Sequence, residues 1–409
     1  MKKRVALYGI GGLYNYGCEA IVRGAVANIR KIDSNCKITY YSKYYEYDKK
    51  QIEDLNIDIV NIESKSNILK KIINKLIDVF NVPIIPFNRK EYMNVIENND
   101  IIMSIGGDIY SIPKYKRNKK TYRYVNKMVE FGELAKQNNK NLIIYGASIG
   151  PFGEYSKAKK YFVDHLNKLD LIVCREQYSI EYLKENGIEK NVIFLPDPAY
   201  LVGGEENLDD NKEYLGINLS GLSLHEIYGA VNLEAIKKIC KLLEHITLQL
   251  DLPIMLIPHV YSPFDKLDND YEFLKEVYQN LPDEIKENVK LVKPNSFLDV
   301  KKYLKKCKIV IAARMHCAVN AIIETIPTIF LSYSIKSQGM SQFIYGNLKW
   351  FVSLDSLENK LINLVKEINE NSEIINKELI SKKREINKYF NINNEEYNKL
   401  RKIIIDERE

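Results

Sequence analysis

Residues 308–337 read KIVIAARMHCAVNAIIETIPTIFLSYSIKS. The β-branched run Ile309-Val310-Ile311 has the character of a buried strand, closed by Ala312-Ala313 before Arg314-Met315-His316. An apolar stretch with helical spacing follows, and Pro327 opens a second strand, Thr328-Ile329-Phe330-Leu331. An arginine and a histidine therefore stand where a parallel strand gives way to a helix. In open α/β sheets this is the edge at which ligands bind. Lys336 follows the next strand and reaches the same rim if the sheet is parallel. Two cations and one imidazole on one rim point to an anionic substrate and a proton transfer. The bland alternative is an Arg–His pair that only caps a helix and satisfies loop carbonyls.

Outward from this stretch, strands and helices alternate. Val5–Tyr8, Ile38–Tyr41, Ile101–Ser104, Leu142–Tyr145, Leu171–Cys174 and Val192–Leu195 form one series of expected strands. Gly203-Gly204 and the acidic run 205–210 read as a linker. A second series comprises Tyr214–Leu219, Pro253–Ile257, Val289–Val292, Lys308–Ala312 and Thr328–Leu331. Two such series predict an α/β protein of two Rossmann-like domains with a central cleft, 1–204 and 211–354. The Lys-, Glu-, Asn- and Ile-rich tail, 355–409, has helical spacing and is expected to pack back across the domains.

Composition agrees. A chain of 409 residues, 45% hydrophobic, suffices for two domains. The balance of 60 basic and 54 acidic residues gives +6, with no clustering of the kind that binds nucleic acid. The six cysteines show no CxxC pairing, which suits a reducing cytoplasm. Met1-Lys2-Lys3-Arg4 is followed by only four apolar residues, too few for a signal peptide.

Three further places carry candidate chemistry. The loop Gly9-Ile10-Gly11-Gly12-Leu13-Tyr14-Asn15-Tyr16-Gly17 follows a strand and opens a helix, so its N–H groups can approach an anion. It is not the dinucleotide fingerprint, because the spacing differs and no acidic residue ends the next strand. Gly11, Gly12 and Asn15 are its candidate contacts; a plain tight turn is the alternative. Arg175 follows the strand Leu171–Cys174, beside Glu176 and Ser179. Asp197, between two prolines, reads as a structural turn. His259 closes the strand Pro253–Ile257 on the ligand-facing rim. Asp268-Asn269-Asp270 resembles a metal-binding string but leads into a helix instead of ending a strand, so no obligatory metal is expected.

Six segments recur in the order of a known family: GIGGLYNYGCEAI (9–21), IIMSIGGD (101–108), ASIGPF (147–152), LIVCREQYS (171–179), VIFLPDPAYL (192–201) and RMHCAVNAI with PTIFLSYSIK (314–336). Together they resemble the polysaccharide pyruvyl transferases. One departure is Cys18, where the family more often has an aspartate. The resemblance implies a fold of the glycosyltransferase-B type, with the acceptor on the N-terminal side and the donor on the C-terminal side. It implies transfer of the pyruvyl group of phosphoenolpyruvate to two hydroxyls of a sugar in a cell-surface polysaccharide precursor, as a cyclic ketal. No cofactor is implied beyond that donor substrate. Arg175, Arg314 and Lys336 would neutralise the donor, and His316 would carry protons. Gly107, Asp108 and His259 join the glycine loop as acceptor or auxiliary residues. The rival of the same fold is a glycosyltransferase using a nucleotide sugar, for which Glu324 could hold the ribose. A non-catalytic scaffold in polysaccharide assembly is the second rival.

Asn67–Phe80 reads NILKKIINKLIDVF, with Ile68, Leu69, Ile72, Ile73, Leu76, Ile77 and Phe80 on one helical face and Lys70, Lys71, Lys75 and Asp78 on the other. It reads either as a core-facing helix or as one lying on the cytoplasmic face of a membrane, near a lipid-linked acceptor.

Overall fold

The computed structural model describes residues 2–62, 89–112, 126–153, 156–203, 212–228, 231–331, 335–353 and 358–407. The amphipathic segment 67–80 and the linker 204–210 lie outside them. The chain divides into two compact units. The first holds Met1–Leu13, Ile21–Pro198 and Tyr389–Glu409; the second holds Tyr14–Ala20 and Ala199–Lys388. The tail is thus shared, with its last residues in the first unit.

The first unit is built on seven parallel strands in the order β3-β2-β1-β4-β5-β6-β7. These are β1 Arg4–Tyr8, β2 Lys37–Ser42, β3 Asp58–Asn61, β4 Ile101–Ile105, β5 Asn141–Ala147, β6 Leu171–Cys174 and β7 Val192–Phe194. The second has six parallel strands, ordered β10-β9-β8-β11-β12-β13. They are β8 Tyr214–Asn218, β9 Ile254–Leu256, β10 Val289–Leu291, β11 Cys307–Ala312, β12 Thr328–Leu331 and β13 Phe351–Val352. The central strands read as near-continuous Ile, Val and Leu because helices cover both faces of a parallel sheet. Ile101 through Ile105 are all buried, as are Ile309, Val310 and Ile311. Each such side chain contributes about 1.5–3 kcal/mol by leaving water. β3 and β13 lack that apolar signature and were not expected from the sequence.

The Asn-rich composition has a structural use. Side chains of Asn126, Asn232, Asn269 and Asn394 accept backbone N–H groups at helix starts, a capping role worth about 1 kcal/mol each. In both sheets the strand order reverses once, between β1 and β4 and between β8 and β11. That reversal opens a crevice beyond the strands' carboxyl ends. The loops after β1 and β4 carry Gly9–Gly12 and Gly106–Asp108; the loop after β11 carries Arg314. No helix among the described residues is long and apolar enough to cross a membrane.

Candidate functional site

In the second unit, β11 ends at Ala312 and the helix Met315–Ile323 begins after two intervening residues, with Arg314 at its N-cap position. The arginine side chain makes no capping bond. Its backbone N–H donates to Asn218 Oδ1 (2.8 Å), and its side chain turns to the loop after β9. There Nε and Nη2 donate to Asp270 Oδ1 (3.1 and 2.9 Å), and Nη2 also donates to Asp268 Oδ1 (2.7 Å). Burial opposes the guanidinium charge, but Asp270 and Asp268 outweigh it and raise the pKa. Nη1 remains outside these bonds. The cation expected for a donor anion is therefore already held by two carboxylates, and one face of its fork remains for a ligand.

Asp270 organises this corner. It is fully buried, and Oδ2 accepts from the backbone N–H groups of His259 and Val260 (both 3.1 Å) while Oδ1 takes the arginine. The second carboxylate, Asp268, is pushed up by burial and pulled down by Arg314.

His259 is 1% exposed, set edge-on against Tyr16 and Phe297 at ring-centroid distances of 6.0 and 6.1 Å. Its Nε2 has no hydrogen-bond partner. Burial, reinforced by the neighbouring His316 and Arg314, drives its pKa well below the ordinary histidine range. It is a neutral imidazole.

His316 lies in the first turn of the same helix, half-buried. Its ring packs on Gly17, where an added Cβ would stand 2.7 Å from Nδ1. The segment holding Gly17 is fixed locally: Asn15 Oδ1 accepts from Gly17 N (3.0 Å), Tyr16 N donates to His259 O (3.2 Å), and Glu19 Oε2 accepts from Phe297 N (2.7 Å). Glycine at 17 is what lets the imidazole sit against the backbone. Gly17 was not among the expected contacts, whereas Gly11 was. At Gly11 a Cβ would meet nothing within 4 Å, so packing does not require glycine there. Gly12 is buried in the same loop, and Leu13 N donates to the buried Asp48 (2.8 Å).

In the first unit Arg175 follows β6 and is 3% exposed. Nη1 donates to Asp197 Oδ2 (2.7 Å) and Nε to Ser148 Oγ (3.0 Å). Burial works against the charge; Asp197, then Asp108, overcome it and raise the pKa. Asp197 is thus the buried counter-ion of Arg175, more than the turn residue its flanking prolines suggested. Nη2 lies beside Gly107, at which a Cβ would approach to 2.8 Å, and Gly107 O accepts from Ser148 N (2.7 Å). Asp108 is exposed.

Other sequence candidates fall elsewhere. Glu324 is engaged by Lys301 (2.8 Å) and Lys305 (3.4 Å) in a largely buried cluster. Lys336 is the second residue of the helix Ile335–Tyr345; its side chain lies outside the described part.

Two parallel-sheet units, each with an arginine fixed on its carboxyl-end rim, make this a protein of the glycosyltransferase-B type. Solved structures with that fold match over nearly the whole chain. HepE from Anabaena in complex with UDP superposes with a TM-score of 0.60 at 12% identity, covering 99% of this chain and 100% of that one. A glycosyltransferase from Rickettsia africae gives 0.56 at 14%, covering all of both chains. A UGT transferase from Siraitia grosvenorii in complex with UDP gives 0.59 at 11%, covering 99% of each. At these identities the likeness concerns the fold alone. Residues 15–335 match the polysaccharide pyruvyl transferase family, and the chain belongs to that family. No curated protein matches the sequence.

Proposed function

We propose that this protein transfers the pyruvyl group of phosphoenolpyruvate to two hydroxyls of a sugar in a polysaccharide precursor, forming a cyclic ketal and releasing phosphate. The family match over residues 15–335 carries this reading. The chemistry of the second unit's rim supports it. A half-buried histidine beside a carboxylate-clamped arginine offers a proton carrier next to an anion-binding group.

Protonation of the donor's methylene carbon makes the adjacent carbon electrophilic. The first sugar hydroxyl adds there, the bond to the phosphate oxygen breaks, and the second hydroxyl closes the ring. The two hydroxyl protons balance the one gained by the new methyl group and the one leaving with phosphate. His316 is assigned the proton movements, which general acid–base catalysis typically makes about 10²- to 10⁴-fold faster. In the second unit Nη1 of Arg314 is assigned to the donor's carboxylate or phosphate, together with Lys336, and Nη2 of Arg175 is the anion-holding group assigned to the first unit. Neutral His259 is an auxiliary residue of the second unit, beside Arg314, while Gly12, Gly107 and Asp108 in the first unit and Asn15 in the second are assigned to the acceptor.

The test is phosphate release from phosphoenolpyruvate across a panel of lipid-linked sugar acceptors, with product mass rising by one pyruvyl ketal. Absence of release with every acceptor, together with stabilisation by UDP and transfer from a nucleotide sugar, would overturn the assignment.

A further inference from the structure

The first unit contains a cavity of about 270 Å³ that the chemistry above does not use. It lies beyond the carboxyl ends of β1, β2 and β3 and is lined by Tyr8, Lys43, Tyr44, Glu91, Tyr92 and Lys127, among others. At about 30 Å³ per water it has room for roughly nine, enough for one hexose-sized ring.

Its wall is rigid. Tyr8 stacks on Phe131 (centroids 4.2 Å apart) and meets Tyr92 edge-on, and Tyr92 also packs on Phe131. Tyr44 is placed by its backbone N–H, which donates to Ser42 Oγ (2.9 Å). Lys43 and Lys127 both line the cavity, one just after β2 and one at the first turn of the helix Lys127–Gln137. Both are solvent-accessible, and neither forms a salt bridge among the described residues. Crowding of Lys43, followed by the positive charge of Lys127, lowers its pKa, while Glu91 acts in the opposite sense. Two ammonium groups thus face one carboxylate in a space walled by three tyrosines.

Two like charges near one another, with a single carboxylate between them, leave a positive surplus that favours an anionic ligand. Aromatic faces suit the C–H face of a sugar ring. We infer that this cavity binds a sugar ring bearing an anionic group, carboxylate or phosphate, with Lys43 and Lys127 holding the anion. That the ring belongs to the polysaccharide acceptor rests on the transferase reading; the binding itself does not.

The experiment titrates the full chain with glucose, glucuronate, glucose 1-phosphate and inorganic phosphate by calorimetry. Binding to the cavity is read as the affinity lost in K43Q/K127Q and in each single variant. Glucuronate, glucose 1-phosphate or both should bind about tenfold more tightly than glucose. The double variant should erase that margin with the melting temperature unchanged, since both lysines are exposed. Tyr44→Ala should weaken the sugar ligands but not inorganic phosphate. A response to glucuronate alone identifies a uronate, and one to glucose 1-phosphate alone a sugar phosphate. Glucose binding as tightly as the anions, a margin that survives K43Q/K127Q, or inorganic phosphate binding the cavity as well as either sugar would overturn the inference. Binding here, together with no phosphate release across the lipid-linked acceptor panel and transfer from a nucleotide sugar instead, would refute the transferase reading and leave this one standing.

Discussion

The two units solve one problem in different ways. Each places an arginine just after a parallel strand and fixes it with aspartate: Arg175 with Asp197, Arg314 with Asp268 and Asp270. Each has a glycine beside its working side chain, Gly107 against Arg175 and Gly17 against His316. The difference lies in what surrounds the cation. Arg175 is 2% exposed at its side chain, bonded to a serine and one carboxylate. Arg314 is 16% exposed and shares its corner with two histidines, one neutral by burial. A buried, compensated arginine presents fixed hydrogen-bond donors; a half-open one beside an imidazole can also take part in proton transfer. On the proposed function the first rim would bind and the second would bind and react.

The sharpest break of that contrast is His316→Gln. Turnover should fall roughly 10²- to 10⁴-fold while the apparent donor affinity falls much less. Arg175→Lys should do the reverse, raising the donor KM with a smaller loss in kcat. Steady-state kinetics of both variants decides the matter. Near-normal turnover in His316→Gln would remove the division of labour between the rims.

The next test concerns the counter-ions. Asp197→Asn leaves the buried Arg175 guanidinium without the carboxylate bonded to it, a change that costs about 3–5 kcal/mol, whereas Asp270→Asn removes the fully buried one of the two carboxylates on Arg314, which keeps Asp268. Asp270→Asn should be the more damaging, because Oδ2 also accepts two backbone N–H groups from the loop after β9. Chemical denaturation should show lower midpoints for both. A midpoint for Asp270→Asn within experimental error of the parent would show that the network is not what holds Arg314.

These carboxylates also mark where the sequence stops being readable. Strands such as Ile101–Ile105 and Cys307–Ala312 announce themselves because burial on both faces demands unbroken apolar runs. Asp58–Asn61 and Phe351–Val352 do not: the former is a four-residue edge strand with half its residues exposed, and the latter has two residues. Arg314 and His316 were legible from their place after a strand. Their partners were not, since Asp268 and Asp270 lie 46 and 44 residues away and meet the arginine only through the β8–β11 and β8–β9 pairings. The partners of Glu324 were hidden for the same reason. Its lysines come from a neighbouring helix, and no local pattern records the pairing.

Each unit holds one buried histidine whose pKa is lowered by burial, His165 in the first and His259 in the second. Folded, each stays neutral below the ordinary histidine pKa of about 6.5; unfolded, each takes up a proton. The unfolded state thus binds more protons as pH falls below about 6.5, and stability declines by up to about 1.4 kcal/mol per pH unit for each. In the first unit Glu133, whose bond to His165 and contact with Lys168 bring it to about 2, moderates the effect. His259→Gln should therefore flatten the decline between pH 6.5 and 5 more than His165→Gln does. Denaturation midpoints measured across that range should separate the two, and equal slopes in parent and His259→Gln would mean that residue 259 is not held neutral.

The smallest expected effect discriminates within a single loop. A methyl group at residue 17 would stand 2.7 Å from His316 Nδ1, and at 107 it would stand 2.8 Å from Arg175 Nη2; at 11 it would meet nothing. The backbone at none of these three is in the left-handed region, so any penalty comes from the contact alone. Gly17→Ala must turn the imidazole or shift the backbone, which should lower kcat about tenfold, an imprecision of a fraction of an ångström in the group that moves the proton. Gly107→Ala should displace one end of the guanidinium and act on KM instead. Gly11→Ala should leave both constants within about twofold, since exposed substitutions away from specific contacts are usually near neutral. If Gly11→Ala proved as damaging as Gly17→Ala, the loop would be contributing its backbone directly to substrate. The glycine's role would then be access to a ligand, not room for histidine.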